Sequence, residues 1–287
     1  MKILVTGGCG FVGSHLVKKL TQKYGAANIF VIDNNFMQRE ISFVDGVTYY
    51  NQNSWEINSI EFPVVFDVIY HLGEYSRIVP SFKDIEYVTK SNMHGTAEVL
   101  NYCIRNKTKL IYSASSSKFG NNGEDENLSP YSWCKAKIVE LIKNYHRWFG
   151  LQYEIAYFYN VYGEGELEEG DYATVIGIFK KQFQLGKLLT IVSPGIQERI
   201  FTHIEDIVDG LLLISNANKN KEYHLSSNQK YSIIEVAKMF GNGYTMLPER
   251  PGERQVALIP SNHNIEKLGW KAKRDLRSYI ELVVASK

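Results

Sequence analysis

The chain has 287 residues, 44% of them hydrophobic, which is enough for a full apolar core in one large domain or two small ones. Its 32 Lys and Arg nearly cancel its 31 Asp and Glu; this excludes a broad basic face for nucleic acid or an anionic membrane and leaves a small molecule as the expected partner. Cys9, Cys103 and Cys134 are odd in number with no Cys-x-x-Cys pair, and the seven His show no His-Glu-x-x-His spacing, so neither a disulfide framework nor a metal site is expected.

The first element, KILVT at 2–6, is a short β-branched run that stops at glycines. It lacks the charged region, long apolar region and cleavage site of a secretory signal. The longest apolar run, Phe62 to Leu72, is too short for a bilayer and carries Asp67, so a cytoplasmic protein without membrane contact is expected. Gly7, Gly10 and Gly13 follow the first run and open a helical pattern, FVGSHLVKKLTQKYG. Between a strand and a helix, such glycines let the backbone approach a pyrophosphate and lay it on the helix N-terminus. Their Gly-x-x-Gly-x-x-Gly spacing would by itself equally suit a tight turn. The second strand, NIFVID, adds context by ending at Asp33, about 20 residues on, where a carboxylate can accept from an adenosine ribose. That charge would repel a 2′-phosphate, so NAD is expected over NADP. An Asx turn or helix cap is the bland alternative.

Three further strand-length runs, DVIYHL, KLIYSAS and YEIAYFY, alternate with the helical patterns SNMHGTAEVLNYCIRN and YSWCKAKIVELIKNYHRWFG. Runs this continuously apolar suit parallel strands buried on both faces, and the alternation specifies an α/β doubly wound parallel sheet. After Asn160 the pattern loosens. Residues 1–160 are therefore expected to form an NAD-binding Rossmann domain, 161–287 a smaller interleaved substrate domain, and 201–215 a return to the main sheet. Tyr131 and Lys135 stand one helical turn apart and share a helix face. Chance alone would give about one Tyr-x-x-x-Lys in a chain with this many of both residues. Placement singles this pair out, because it opens a helix shortly after KLIYSAS, and strand ends of such a sheet point at the cofactor crevice. A Lys ammonium beside a phenol favours the phenolate, and Ser115 would share a substrate hydroxyl with Tyr131.

The sequence resembles the extended short-chain dehydrogenases/reductases, in their NAD-dependent nucleotide-sugar epimerase/dehydratase branch, over nearly the whole chain. TGGCGFVG, SASSSKFG and YSWCK carry the resemblance. IYHLGEYS is similar to the family's His-Leu-Ala-Ala strand end, SNMHGTAEVL to its Asn-x-x-Gly-Thr helix, and QERIFTHIED to its Arg-Asp-Phe-x-x-Val-x-Asp segment. ERPGERQV and EKLGW are similar to its Arg-Pro-Gly-Asp and Leu-Gly-Trp landmarks. The resemblance implies Ser115, Tyr131 and Lys135 as catalytic residues. Around NAD it implies Gly7, Gly10, Phe11, Val12, Gly13, Asp33, Asn34, Asn53, Leu72, Gly73 and Asn92, with Tyr131 and Lys135. Around the substrate it implies Glu74, Ser115, Ser116, Ser117, Asn160, Arg199 and Arg250, the two arginines on a diphosphate. This sequence departs from the pattern at KFG for Val-Tyr-Gly, at Gly73-Glu74 for Ala-Ala, and at Cys134 for the Ser before the lysine. A homodimer through the helices of Ser91–Asn106 and Tyr131–Phe149 is implied as well.

The expected activity is NAD-dependent oxidation at sugar carbon 4 of a nucleotide-diphosphate hexose or heptose, as a 4-epimerase or a net 4-dehydrogenase. The alternatives are an NAD(P)H-dependent ketosugar reductase, a 4,6-dehydratase and a non-catalytic NAD-binding protein. The acidic Asp-Glu pair of the dehydratases is Ser116-Ser117 here.

Overall fold

The computed structural model describes residues 1–37, 42–119, 126–252, 255–258 and 260–286. Gly120, the last residue of SASSSKFG, lies outside them. Six short strands open the chain: β1 (Ile3–Thr6), β2 (Ile29–Ile32), β3 (Thr48–Tyr50), β4 (Val68–His71), β5 (Lys109–Ser115) and β6 (Tyr153–Phe158). Between them run α1 (Phe11–Tyr24), α2 (Ile85–Val88), α3 (Gly95–Asn106) and α4 (Pro130–Phe149). The later part of the chain supplies β7 (Val161–Tyr162), α5 (Val175–Gln184), β8 (Leu189–Val192), β9 (Glu198–Ile200), β10 (Thr202–His203) and α6 (Ile204–Ile214). It ends with β11 (Glu222–Leu225), β12 (Lys230–Ser232), α7 (Ile233–Met239), β13 (Tyr244–Leu247), α8 (His263–Glu266) and α9 (Leu276–Ala285).

Among the described residues the large sheet has seven parallel strands in the order β11-β6-β5-β4-β1-β2-β3. Alternate residues of each strand feed two cores. Leu4, Leu110 and Ile155 pack with Val99, Leu100, Ile138 and Ile142 of α3 and α4. Ile3, Val5 and Ile111 pack with Leu16 and Leu20 of α1 and with Ile207, Val208 and Leu211 of α6. The sheet is thus the α/β, doubly wound, parallel sheet expected from the continuous apolar runs. A third core gathers Phe179, Phe183, Ile191, Val236, Phe240 and Ile280 into a second lobe beyond β6.

Chain direction places the site. β1 lies between β2 and β4, so the connections leaving these strands diverge and open a crevice at their carboxyl ends. Two details differ from expectation. The helix read as starting at Ser91 begins instead as a π turn, Thr89–His94, and becomes α-helical at Gly95. The strand read as NIFVID stops at Ile32, leaving Asp33 on the loop, its backbone N–H bonded to Tyr50 O at 3.1 Å.

Candidate active site

Gly7 leaves β1 at φ +71°, and a Cβ there would lie 2.7 Å from the backbone of Leu72 and Gly73. At Gly13 a Cβ would stand 2.0 Å from the Gly7 carbonyl oxygen, so both positions require the bare backbone. α1 begins at Phe11 with Gly10 as its N-cap, and no side-chain oxygen caps the first turn. A bare cradle of this kind at a helix N-terminus suits a pyrophosphate. Beside it, Asp33 is oriented by two amides: Cys9 N–H donates to Oδ2 at 2.8 Å and Asn35 N–H to Oδ1 at 2.7 Å. The Asx turn considered from sequence is therefore present, on a carboxylate that also lines the cleft.

One cleft of about 580 Å³ joins this loop to the second lobe, a size in the range of small-molecule sites. The glycine loop contributes Gly7, Gly10, Phe11, Val12 and Gly13, and the end of β2 contributes Asp33 and Asn34. β4 delivers Leu72, Gly73 and Glu74; β5 and the turn after it deliver Ser115, Ser116 and Ser117; α4 delivers Tyr131 and Lys135. Asn160, Arg199 and Arg250 line it from the segments beyond β6. The start of α4 is fixed by Ser129, whose hydroxyl accepts from Ser132 N–H at 3.1 Å, and by Pro130 in the first turn. Tyr131 is further held by its backbone N–H, which donates to Ser81 Oγ at 3.4 Å.

Two asparagines expected at the cofactor are not among the cleft-lining residues. Asn53 caps the 3₁₀ turn Ser54–Ser59: its amide donates to Glu56 at 2.7 Å and accepts from Asn34 at 2.7 Å. Its neighbours Gln52, Ser54 and Trp55 line the cleft instead. Asn92 is fully buried in the π turn and clamps the backbone of Tyr75, accepting from its N–H at 2.8 Å and donating to its carbonyl at 3.0 Å. It shapes the loop after β4 rather than facing the cleft.

Lys135 is nearly buried and ion-paired with Glu74; it also donates to Ser113 O at 2.6 Å and lies over the Tyr112 ring at 4.8 Å. Burial pushes the Tyr112 phenol well above its usual range and, with Glu74 nearby, the Cys134 thiol up to about 11. The fully buried His71 is pushed down to about 4 by desolvation and stays neutral. Sequence reasoning missed several cleft residues, Arg77 and Gln197 among them. Arg77, in the loop after β4, donates through Nε to Tyr172 O at 2.7 Å. Gln197, two residues before Arg199, donates to Val192 O at 2.9 Å, while its buried Oε1 has no partner among the described residues and can accept from a ligand. Only their adjacence to Glu74 and Arg199 could have signalled them.

In the described residues no helix is long and apolar enough to cross a membrane. The chain resembles a putative UDP-glucose 4-epimerase of Methanocaldococcus jannaschii at 30% identity, over 98% of this chain and 97% of the other. It is 27% identical to UDP-glucuronic acid decarboxylase 6 of Arabidopsis thaliana over 99% of this chain and 88% of that one. Among solved structures, the UDP-glucose 4-epimerase of Thermotoga maritima shares the fold with a TM-score of 0.88, 24% identity and coverage of 99% and 98%. The model of the NAD dependent epimerase/dehydratase family matches residues 3–229. The glycine cradle and the carboxylate at Asp33 fit that cofactor, and the chain belongs to this NAD-dependent family of nucleotide-sugar enzymes.

Proposed function

We propose that the protein oxidises carbon 4 of a nucleotide-diphosphate sugar and acts as a 4-epimerase, with net 4-dehydrogenation as the variant in which the ketosugar leaves. The observation that carries this reading is the meeting of Ser115, Tyr131 and Lys135 with the glycine loop in one cleft. Gly7, Gly10 and Gly13 would hold the NAD pyrophosphate, and Asp33 the adenosine ribose. Bound NAD supplies a hydride acceptor for the sugar carbon. Tyr131 takes the proton of the sugar hydroxyl, Ser115 orients the same oxygen, and Lys135 favours the ionised phenol through its charge. Arg199 and Arg250 would meet the diphosphate, where guanidinium forks match phosphate oxygens. The likeness to the putative UDP-glucose 4-epimerase of Methanocaldococcus jannaschii over almost both full lengths supports return of hydrogen to the ketosugar.

The likeness to plant UDP-glucuronic acid decarboxylases favours a second reading, in which the same oxidation precedes loss of carbon dioxide. Incubation of the NAD-loaded protein with UDP-glucose, UDP-glucuronic acid and dTDP-glucose, followed by proton NMR, separates the two. A new C4 epimer is expected. Recovery of every nucleotide sugar unchanged, or a pentose product, would overturn the epimerase reading.

A further inference from the structure

The family resemblance offers alanine where this chain has Glu74, and the structure shows what that carboxylate does. Glu74 Oε1 accepts from the Thr96 hydroxyl at 2.9 Å and from the Tyr112 hydroxyl at 3.2 Å, while Oε2 takes Lys135. Its side chain is 1% exposed and that of Lys135 6%. The hydrogen bonds behind it have a fixed direction. Thr96 gives its proton to Glu74, so at 3.0 Å it must accept from His71 Nε2–H. His71 Nδ1 is then the acceptor of the Thr6 hydroxyl at 2.7 Å, and Thr6 Oγ1 in turn accepts from Gly73 N–H at 3.0 Å. Every donor in this chain runs toward Glu74, whose two carboxyl oxygens act only as acceptors here.

From this arrangement we infer that Glu74 is a positioning residue for Lys135: it holds the ammonium between its own carboxylate and Ser113 O and cancels its charge, so that turnover reaches its plateau at a higher pH than an unbalanced lysine would set. The inference rests on the proposed pairing of Tyr131 with Lys135. An ammonium has three donors, and two are committed here within the protein, leaving one for the cleft. A lysine without a counter-charge stabilises a nearby phenolate; paired with Glu74, the same lysine presents a net charge near zero and stabilises it less.

The other titratable groups packed around the pair do not interfere. On β4, His71 stays neutral above about pH 4; on α4, Cys134 holds its proton to about 11; on β5, Tyr112 is raised well beyond its usual range, and on β6 burial likewise raises Tyr157. Between those limits none of these four groups adds a charge to the Glu74–Lys135 pair.

The test compares the parent with Glu74→Gln, which keeps the shape and removes the charge, and with Glu74→Ala, the family's residue. Removing the negative charge leaves Lys135 positive beside Tyr131, so the rising limb of the pH–rate profile should move to lower pH by about one unit. The midpoint of the phenolate absorbance signal, isolated by subtracting Tyr131→Phe, should move with it and requires no substrate. If either variant folds and binds NAD but keeps the parent's phenolate midpoint, the inference fails, and a purely structural Glu74 would give that result. Retained turnover in Tyr131→Phe would instead overturn the assignment of the base, while the absorbance shift would still decide the role of Glu74.

Discussion

Replacement of Tyr131 by Phe removes one oxygen from the cleft and should lower turnover by about a hundredfold or more while leaving NAD affinity nearly unchanged. Ser115→Ala should cost less, because the hydroxyl orients rather than accepts; steady-state rates beside calorimetric NAD binding would check both. At Asp33, after β2, the carboxylate faces the cleft beside the glycine loop, so NAD(H) should bind at least about tenfold more tightly than NADP(H), and equal affinities by calorimetry would refute it. A third residue bears on stability. Glu166 is buried and accepts from the Thr174 hydroxyl and, at 3.3 Å, from Gly163 N–H; desolvation outweighs these bonds and pushes its carboxyl from 4.5 up to about 7. A carboxyl raised by folding contributes stability that is complete below pH 4.5 and lost as pH rises to 7, on the order of 3 kcal/mol. In thermal melts from pH 5 to 7.5, the parent should therefore lose on the order of 5–10 °C relative to Glu166→Gln. At this scale the sequence disclosed Tyr131 and Lys135, because helical spacing brings them together whatever the tertiary fold. It could not disclose the partner of Glu74, which lies on another element 61 residues away.

The elements divide by length in how plainly they could be read. β1, β2, β4, β5 and β6 are continuous apolar runs because parallel strands buried on both faces leave no polar side. β7, β9, β10 and β12 have two or three residues each and exist through pairing with distant segments, so local propensity carries no sign of them. The π turn at Thr89–His94 escaped for a related reason: its wider spiral serves Asn92, whose bonds to Tyr75 are invisible in the local pattern. α3 and α4 carry the prediction at this scale. Their inner faces pack on the sheet, while Trp148 and Phe149 at the end of α4 are 61% and 58% exposed and Leu141 is half-buried. Apolar side chains on the outer surface of paired helices suit an isologous contact with a second copy. Light scattering at micromolar concentration should give a dimer mass, and Leu141→Arg should shift it to monomer; a monomeric parent would refute the contact.

Across the whole molecule, the glycine loop, the Tyr131 turn and the second lobe close on one cleft, and the acids lining it restrict what can follow oxidation. Elimination of water across carbons 5 and 6 of a ketosugar needs a general acid for the leaving hydroxyl and a base for the carbon-bound proton. The positions after Ser115 that would carry them hold Ser116 and Ser117, and a serine hydroxyl has no accessible proton-transfer state near pH 7 without a base to activate it. Three acidic residues line the cleft among the described residues: Asp33, Glu74 and Asp171. Asp33 is bound to the glycine loop, Glu74 is locked to Lys135, and Asp171 is exposed on the second lobe. No acidic pair follows Ser115, so a site that forms a ketosugar as proposed would be poorly equipped to expel its hydroxyl. Products should therefore keep every oxygen of the substrate, with its mass for epimerisation or two hydrogens less for dehydrogenation. Mass spectrometry that finds a 4-keto-6-deoxy sugar, lighter by one water, would overturn this and make Asp171, the exposed acid, the first to replace.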